Sequence, residues 1–168
     1  ENITVSRSYN SLSGLSGLFG EGWTSEFDEN IVVLTDLAIR LQMPDGRGAY
    51  LGRPNATSVY ESATTDLQAR AIKNSDNTFI LTFKDGRIHK FGSDGRLLWR
   101  QDRNGNQTTL NYHATTGSLT GITDAVGRTL SIELNGNGNI TKIYDSMSTI
   151  ATYEYIPSTN RLSSIAYH

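Results

Sequence analysis

The chain has 168 residues and a formal net charge of −2, which fits one ordinary domain without broad electrostatic attraction to nucleic acid or to an anionic membrane. Its 16 Gly, 3 Pro and 19% charged residues favour a turn-rich β protein over a disordered one. It has no Cys, which excludes a disulfide framework and thiolate chemistry, and no apolar run long enough to insert as a membrane-spanning helix. Because it begins at Glu1 with neither Met nor a signal segment, we expect a piece of a longer polypeptide.

The N-terminal stretch combines a short alternating run that ends at Tyr9 with a Ser- and Gly-rich loop. Gly20 and Gly22 allow sharp turns of the backbone, because glycine has no Cβ. The aromatic side chains of Trp23 and Phe27 are predicted to plug the open end of a curled sheet. The alternative interpretation is that an exposed Trp23 stacks on a sugar ring.

The next stretch predicts short strands at Ile31–Leu34, Ile39–Gln42 and Tyr50–Leu51, with a turn at Pro44–Arg47. Gly52–Gln68 is polar and rich in Thr and Ser. Two interpretations of it stay open, a long surface loop and an irregular edge strand.

A hairpin is predicted from residue 78 onwards. Phe79, Leu81 and Phe83 alternate, and Asp85-Gly86 is a strong hairpin turn after which the chain returns to Phe91. We therefore divide the chain into an N-terminal capping region, residues 1–77, and a hairpin repeat region, residues 78–168.

The repeat region shows a period of 21 to 22 residues. A Gly or Asn followed by a small or basic and then an aliphatic residue recurs at steps of 22, 21 and 22, at Gly95, Gly117, Gly138 and Asn160. Two further sets of residues recur at the same spacing, and each set forms a column when the repeats are aligned. One column, before the turn, is Phe91, Tyr112, Leu134 and Tyr155, and the other, after the turn, is Asp102, Asp124 and Asp145. A period in this range indicates a repeat architecture.

Each repeat unit is predicted to be one antiparallel hairpin. Leu130, Ile132 and Leu134 share one face of an alternating strand, and the following turn contains Gly136 and Gly138, which tolerate positive φ. After each turn two apolar residues are spaced by three: Leu119 and Ile122, Ile140 and Ile143, Leu162 and Ile165. A β-bulge in each unit would turn both members of a pair to one side and make the sheet curl.

These residues resemble the tyrosine-aspartate (YD) repeat of the Rhs family, which is related to the insecticidal toxin-complex proteins and the teneurins. The resemblance is carried by Tyr112-x4-Gly117-Ser118-Leu119-x2-Ile122-x-Asp124-x2-Gly127-Arg128. A further copy looks like Tyr155-x4-Asn160-Arg161-Leu162-x2-Ile165-x-Tyr167, without the Asp. The segment Arg7-Ser8-Tyr9-Asn10-Ser11, with Gly20-Glu21-Gly22-Trp23 and Phe27, is similar to the stretch that commonly precedes such repeats, although Met43-Pro44 departs from the family pattern.

The resemblance implies a long ribbon of hairpins that spirals into a hollow shell around a toxin or an unfolded chain. It also implies which positions matter for the repeat and the cap. The repeat positions are Tyr112, Gly117, Leu119, Ile122, Asp124, Gly127, Arg128, Leu134, Gly138, Ile140, Asp145, Tyr155, Leu162 and Ile165. The cap positions are Tyr9, Gly20, Gly22, Trp23 and Phe27.

Candidate catalytic or metal-binding residues are sparse. His89, His113 and His168 have no partner at metal-ligand spacing, so a solvated or hydrogen-bonded imidazole is the interpretation we prefer. The run from Asp102 to Asn106 begins like a calcium loop but has Gln107 where that loop needs Gly. The recurrent Asp column could form an acidic row, but capping of the turns explains it better. We expect no cofactor, no metal and no enzymatic activity.

The sequence therefore predicts an all-β fold of consecutive antiparallel hairpins in a curled, repeat-built sheet. The predicted function is a non-enzymatic segment of a Rhs-like shell that encapsulates or presents a toxin or other polypeptide, exported to the cell surface or the medium. The alternative is an adhesin or carbohydrate-binding module that uses Trp23, Trp99 and Tyr60. Expected partners are other segments of the parent protein, or a second copy, at the free edge of strand Arg161–Tyr167, and a toxin cargo.

Overall fold

The structure is a computed structural model that describes residues 3–12, 14–53, 58–62, 64 and 67–168. The described residues contain strands and turns and no helix, which confirms the all-β prediction. The strands are β1 (Arg7–Tyr9), β2 (Ser16–Gly17), β3 (Gly20–Glu21), β4 (Trp23–Ser25), β5 (Asn30–Thr35), β6 (Ala38–Gln42), β7 (Gly48–Gly52), β8 (Val59–Ser62), β9 (Ala69–Lys73), β10 (Phe79–Phe83), β11 (Ile88–Phe91), β12 (Leu97–Gln101), β13 (Gln107–Tyr112), β14 (Leu119–Thr123), β15 (Thr129–Leu134), β16 (Ile140–Tyr144), β17 (Thr149–Ile156) and β18 (Arg161–Tyr167).

Fourteen strands, β5 to β18, follow one another in chain order in a single antiparallel sheet. Each strand of this sheet pairs with its neighbours in sequence, as the prediction of consecutive hairpins requires. The sheet is open, with β5 and β18 at its two edges. The N-terminal strands form two small sheets, β1 with β4 and β2 with β3.

The chain divides into two compact units. The first unit comprises Glu1–Phe27, Pro44–Gly46 and Thr109–His168, and the second comprises Asp28–Met43 and Arg47–Thr108. The sequence-based boundary between residues 77 and 78 stays a prediction. The buried side chains of the first unit include Phe19, Leu110, Leu119, Ile122, Ile132, Ile140, Ile143 and Tyr153. Those of the second unit include Ile39, Leu41, Leu51, Tyr60, Phe79, Leu81, Phe91 and Leu97.

One turn geometry recurs along the described chain. The N–H of the first turn residue donates to the C=O four residues later, and a residue with positive φ stands in the fourth place, as in a type I turn followed by a left-handed residue. The residues in the fourth place are Gly46, Asn77, Gly86, Gly95, Gly105, Gly127 and Gly138. Gly86 and Gly95 therefore have the positive φ that their Asp-Gly sequences predict. In the turn after β15, Gly138 and not Gly136 has the positive φ, because Gly138 occupies the fourth place.

A β-bulge recurs at the same point of each repeat, which confirms the prediction from the apolar spacing. The extra residues are Leu98, Thr120, Thr141 and Ser163, at the repeat's steps of 22, 21 and 22 residues. The hydroxyls of Thr120 and Thr141 donate across the bulge to the carbonyl oxygens of Asn111 and Glu133, at 3.0 and 3.2 Å. Because a bulge adds one residue to a strand, apolar side chains three apart come to face the same side.

Three further sequence interpretations need correction or qualification. In β15 only Ile132 is buried, while Leu130 and Leu134 are half-buried. Part of the polar stretch Gly52–Gln68 forms β8, which lies between β7 and β9 and is therefore not an edge strand. The surface-loop interpretation of the same stretch falls partly on residues 54–57, 63, 65 and 66, outside the described residues. Tyr60 is fully buried, so its proposed role as an exposed sugar-stacking ring is wrong.

Candidate functional site

The candidate site is the contact between the N-terminal strands β1–β4 and the hairpins β15–β16 and β17–β18, all within the first unit.

Two glycines shape the N-terminal segment. Gly20 and Gly22 have φ of 89° and 78°, a region that favours glycine. A Cβ at Gly20 would also collide with the carbonyl oxygen of Asn160, and one at Gly22 would lie 2.7 Å from the ring of Tyr9. These two cap positions therefore require glycine for close approach as well as for backbone conformation.

Arg7 lies at the centre of an aromatic cluster. Its guanidinium carbon is 5.5 to 5.7 Å from the ring centroids of Phe19, Trp23 and Tyr153, within the range of cation–π attraction. Its Nη2 donates to the hydroxyl of Tyr167 at 3.1 Å. Since Tyr153 and Tyr167 belong to β17 and β18, Arg7 connects the N-terminal segment to the β17–β18 hairpin.

Phe19 is the anchor of this contact. It is completely buried, and its ring packs against Tyr153 with centroids 5.1 Å apart. Trp23, in contrast, is half-buried and packs against the exposed Tyr9 at 5.0 Å, and Phe27 is buried. The sequence predicted Trp23 and Phe27 as the plug, but Phe19 is the N-terminal aromatic side chain that packs on the β17–β18 hairpin in the contacts above.

Backbone hydrogen bonds fix the segment beside the repeat turns. The N–H of Ile140 donates to the carbonyl oxygen of Leu18 at 2.7 Å, and Asn139 Nδ2 donates to that of Gly17 at 3.0 Å. The N–H of Glu21 donates to the carbonyl oxygen of Asn160 at 3.1 Å. These bonds involve the residues on either side of Phe19, so they hold its ring in register with the hairpins.

An exposed ion pair adds to the same contact. Arg161 Nε lies 3.0 Å from Glu21 Oε2. The hydrogen bond and the charge of Arg161 hold the pKa of the Glu21 carboxyl below its usual value. Because both side chains are largely exposed, we expect this pair to contribute little stability and mainly to fix the position of β3.

The recurrent aspartates cap the turns between hairpins. Asp102 Oδ1 accepts from the N–H groups of Asn104 and Asn106, and Asp145 Oδ1 accepts from those of Met147 and Ser148, all at 2.8 to 2.9 Å. Asp124 Oδ1 accepts from the backbone N–H of Arg128 at 2.9 Å, and Asp124 Oδ2 accepts from Nε of the same arginine at 2.7 Å. The pKa of Asp102 is lowered mainly by the hydrogen bond from the Asn106 side chain. The pKa of Asp145 is lowered mainly by the hydrogen bond from the backbone N–H of Met147.

The other repeat positions occupy recurring places in the hairpins. Leu119, Ile122 and Ile140 are buried, and Tyr112, Leu134, Tyr155, Leu162 and Ile165 are half-buried. Gly117, Gly127 and Gly138 have positive φ in turns. Tyr155 donates its hydroxyl hydrogen to the carbonyl oxygen of Ile140 at 2.7 Å, and burial raises the pKa of this phenol. Tyr155 therefore binds the backbone of β16.

Sequence reasoning missed the pair formed by Glu29 and His89 in the second unit. Glu29 Oε2 lies 2.8 Å from His89 Nδ1, and the side chains are only 3% and 7% exposed. His89 is thus hydrogen-bonded, in keeping with one of the roles expected for it, but 60 residues separate it from its partner. No local pattern marks such a pair.

Among the described residues, no group of three or more His, Asp or Glu is placed to hold a metal ion. None of them form a helix long and apolar enough to cross a membrane.

The N-terminal part of the chain matches a known family model. Residues 1–51 are similar to the family described as Domain of unknown function (DUF6531). No curated protein matches the chain. The matched residues contain β1–β6, and so include every N-terminal side chain that contacts the β17–β18 hairpin.

Proposed function

We propose that this chain is a non-enzymatic structural segment of a Rhs/YD-repeat shell that encapsulates or presents a toxin or another polypeptide. It would be exported as part of a larger protein and act at the cell surface or in the medium. The observation that carries the proposal is that Phe19 packs against the β17–β18 hairpin and Arg7 forms a hydrogen bond with it. A dedicated N-terminal segment covers apolar side chains of hairpins that are built to stack.

The repeated bulges and turns support a role in building a wall. A hairpin alone is marginal in water and gains stability by adding to its neighbours. Each repeat carries the bulge at the same point, so successive hairpins add to the sheet in the same register. Such regularity serves an extended surface, whereas a catalytic centre needs a convergent cluster of polar groups.

The proposal can be tested on the natural parent protein. An antibody raised against the 168-residue chain would be used to detect the parent in secreted and surface fractions of the source cells. We expect the antibody to detect a parent protein well above 18.5 kDa. When that protein is treated with protease, a segment outside this chain should stay intact until the shell is denatured. A parent with no protease-protected segment would contradict encapsulation.

A second candidate, a carbohydrate-binding surface, is favoured by one observation. The exposed ring of Tyr9 lies against the half-buried Trp23, and Arg7 is adjacent. Aromatic rings beside polar groups are a common way to bind sugars. A glycan array with Trp23→Ala and, as matched control, the half-buried Trp99→Ala separates the candidates, because a sugar site at Tyr9 predicts loss of binding only with Trp23→Ala.

A further inference from the structure

One face of the sheet in the second unit carries a row of apolar side chains with a single cation among them. The cross-strand pairs Val59↔Ile72, Ile72↔Ile80, Ile80↔Lys90 and Lys90↔Trp99 follow one another through β8–β12. Directly paired residues of antiparallel strands have their side chains on the same face. These five side chains therefore form one ladder across five strands, the Lys90 ladder.

The Lys90 ladder lies on the face opposite to the core. Successive residues of a strand alternate between the two faces of a sheet. The strand neighbours Tyr60, Ala71 and Leu81 are completely buried, whereas Ile72 is 42% exposed and the other ladder residues are half-buried. Contiguous apolar side chains on an open sheet face are typical of an interaction surface, unlike single exposed ones.

Lys90 is a cation without an ion pair in the middle of this row. The carboxylates of the neighbouring strands and turns each bind another residue: Glu61 binds Arg70, Asp76 binds Thr78, Asp85 binds Arg87 and Asp94 binds Arg96. In the part of the chain that the structure describes, no carboxylate pairs with Lys90. Its charge reaches Asp76 through space, as a minor cause beside the hydrogen bonds from Thr78 that chiefly lower the pKa of that carboxyl.

The spacing of the ladder matches one kind of partner. Neighbouring strands lie about 4.8 Å apart, so the five residues span about 19 Å across the strands. Side chains on one face of an α-helix recur once per turn, about every 5.4 Å, and drift from the ladder by only about 2 Å over its length. Same-face side chains of an extended strand recur about every 6.8 Å and drift by about 8 Å. A helix that crosses the strands therefore places one side chain beside each ladder residue, and a strand does not.

We propose that the Lys90 ladder binds an amphipathic α-helix of a partner protein, with apolar side chains against Ile72, Ile80 and Trp99 and a carboxylate against Lys90. The described residues contain no helix that could take this place. Apolar anchors once per turn supply the affinity of such a complex. The acidic residue fixes the register of the helix, because any other register leaves Lys90 covered without a partner. The ladder uses none of the contacts of the first unit, so the inference is independent of the proposed function.

The test uses a designed fluorescent peptide of about 18 residues, Ala-rich so that it is helical in water. Leu residues line one face, and Glu occupies the middle position of that face. We expect saturable binding to the intact chain by fluorescence anisotropy. A peptide with Lys in place of the central Glu should bind about tenfold more weakly, because its charge meets that of Lys90. A peptide with Pro at the centre of the opposite face should not bind, because Pro breaks the helix.

Two chain variants locate the site. Lys90→Glu should weaken binding of the Glu peptide about tenfold and restore binding of the Lys peptide, since the two charges are exchanged. Lys84→Glu makes the same change of charge at an exposed residue outside the ladder, and it should alter neither affinity. If Lys90→Glu fails to fold, the Glu and Lys peptides still decide the question on the unaltered chain.

Three results would overturn the proposal. One is equal binding of the Glu and Lys peptides, or binding of the Pro peptide, to the unaltered chain. Another is a loss of affinity in Lys84→Glu as large as that in Lys90→Glu. The third is dimerisation of the chain through the ladder, detected by sedimentation and lost in Ile72→Ser, because the surface would then belong to a second copy.

Discussion

At the residue scale, the second unit contains a buried polar pair, Glu29 and His89. The imidazole also meets the ring of Phe83 edge-on, with centroids 4.8 Å apart. Immediately after Glu29, Asn30 bridges to Arg96, and the N–H of Ile31 donates to the carbonyl oxygen of Gly95 at 2.8 Å. The pair therefore lies where β5 meets the turn between β11 and β12. Substitution of either residue would leave the other ionisable side chain buried without its partner.

We expect His89→Ala to lower the free energy of unfolding by about 3–5 kcal/mol, because Glu29 is left buried without its partner. Urea denaturation monitored by fluorescence measures the change. The double variant Glu29→Leu, His89→Phe should recover most of the loss, since it replaces both polar groups with apolar ones. If His89→Ala unfolds at the wild-type urea concentration, the pair does not hold β5 in place.

Gly95 and Gly127 form a matched pair for testing close approach. Their φ values are nearly equal, 84° and 83°, but a Cβ at Gly95 would collide with the carbonyl oxygen of Ile31, whereas none of the atoms near Gly127 lies within 4 Å of its Cβ. Gly127→Ala should cost about 1–2 kcal/mol for the left-handed conformation alone. Gly95→Ala should cost clearly more in the same denaturation experiment. Equal losses of stability in the two variants would show that the backbone near Ile31 can move to accept the new methyl group without a measurable loss of free energy.

At the element scale, the Asp-capped turns make hairpin stability depend on pH. Hydrogen bonds to Asp102 and Asp145 lower the pKa of both carboxyls in the folded chain. In the unfolded chain these groups titrate near their ordinary value of about 3.9. The folded state therefore binds fewer protons, and its extra stability is present above that value and is lost as the pH falls through the lower, folded-state pKa.

The urea midpoint of the wild-type chain should accordingly fall as the pH is lowered from 5 towards 3. Asp102→Asn should stay close to the wild type at pH 7, because an amide oxygen can accept the same backbone bonds, and its midpoint should fall less in acid. Asn135→Ala removes the amide that caps another turn without removing a titratable group, so it provides the control and should leave the acid dependence unchanged. A wild-type midpoint that is flat across this range would contradict the assignment.

Much of the repeat region could be predicted from the sequence because its determinants are local. The spacing of Ile140 and Ile143 gave the bulge, and Asp85-Gly86 gave the turn with positive φ. The turn after β15 has a local determinant too, since Asn135 Oδ1 accepts from the N–H groups of Asn137 and Asn139 and favours a turn with Gly138 at positive φ. The packing of Phe19 on Tyr153 is different, because a contact across so many residues leaves no periodic mark.

At the scale of the whole molecule, the N-terminal segment completes the first unit rather than forming an independent module. Its strands β1–β4 are two or three residues long, too short to be stable alone. Their stability therefore depends on the contacts of Phe19, Arg7 and Glu21 with the hairpins. Conversely, those hairpins need the segment, because Phe19 covers Tyr153.

Removal of residues 1–22 should leave apolar surface of the first unit uncovered. We expect the shortened chain to bind a hydrophobic dye and to associate as its concentration rises, measured by dye fluorescence and light scattering. The intact chain with Phe19→Ala should lose about 3–5 kcal/mol of unfolding free energy and bind less dye than the shortened chain. Arg7→Lys keeps the charge but not the planar stacking on Phe19, Trp23 and Tyr153, so it should have a smaller effect than Phe19→Ala. A shortened chain that stays monomeric, binds no dye and unfolds at the wild-type midpoint would show that the hairpins are complete without the segment, and the capping role would fall.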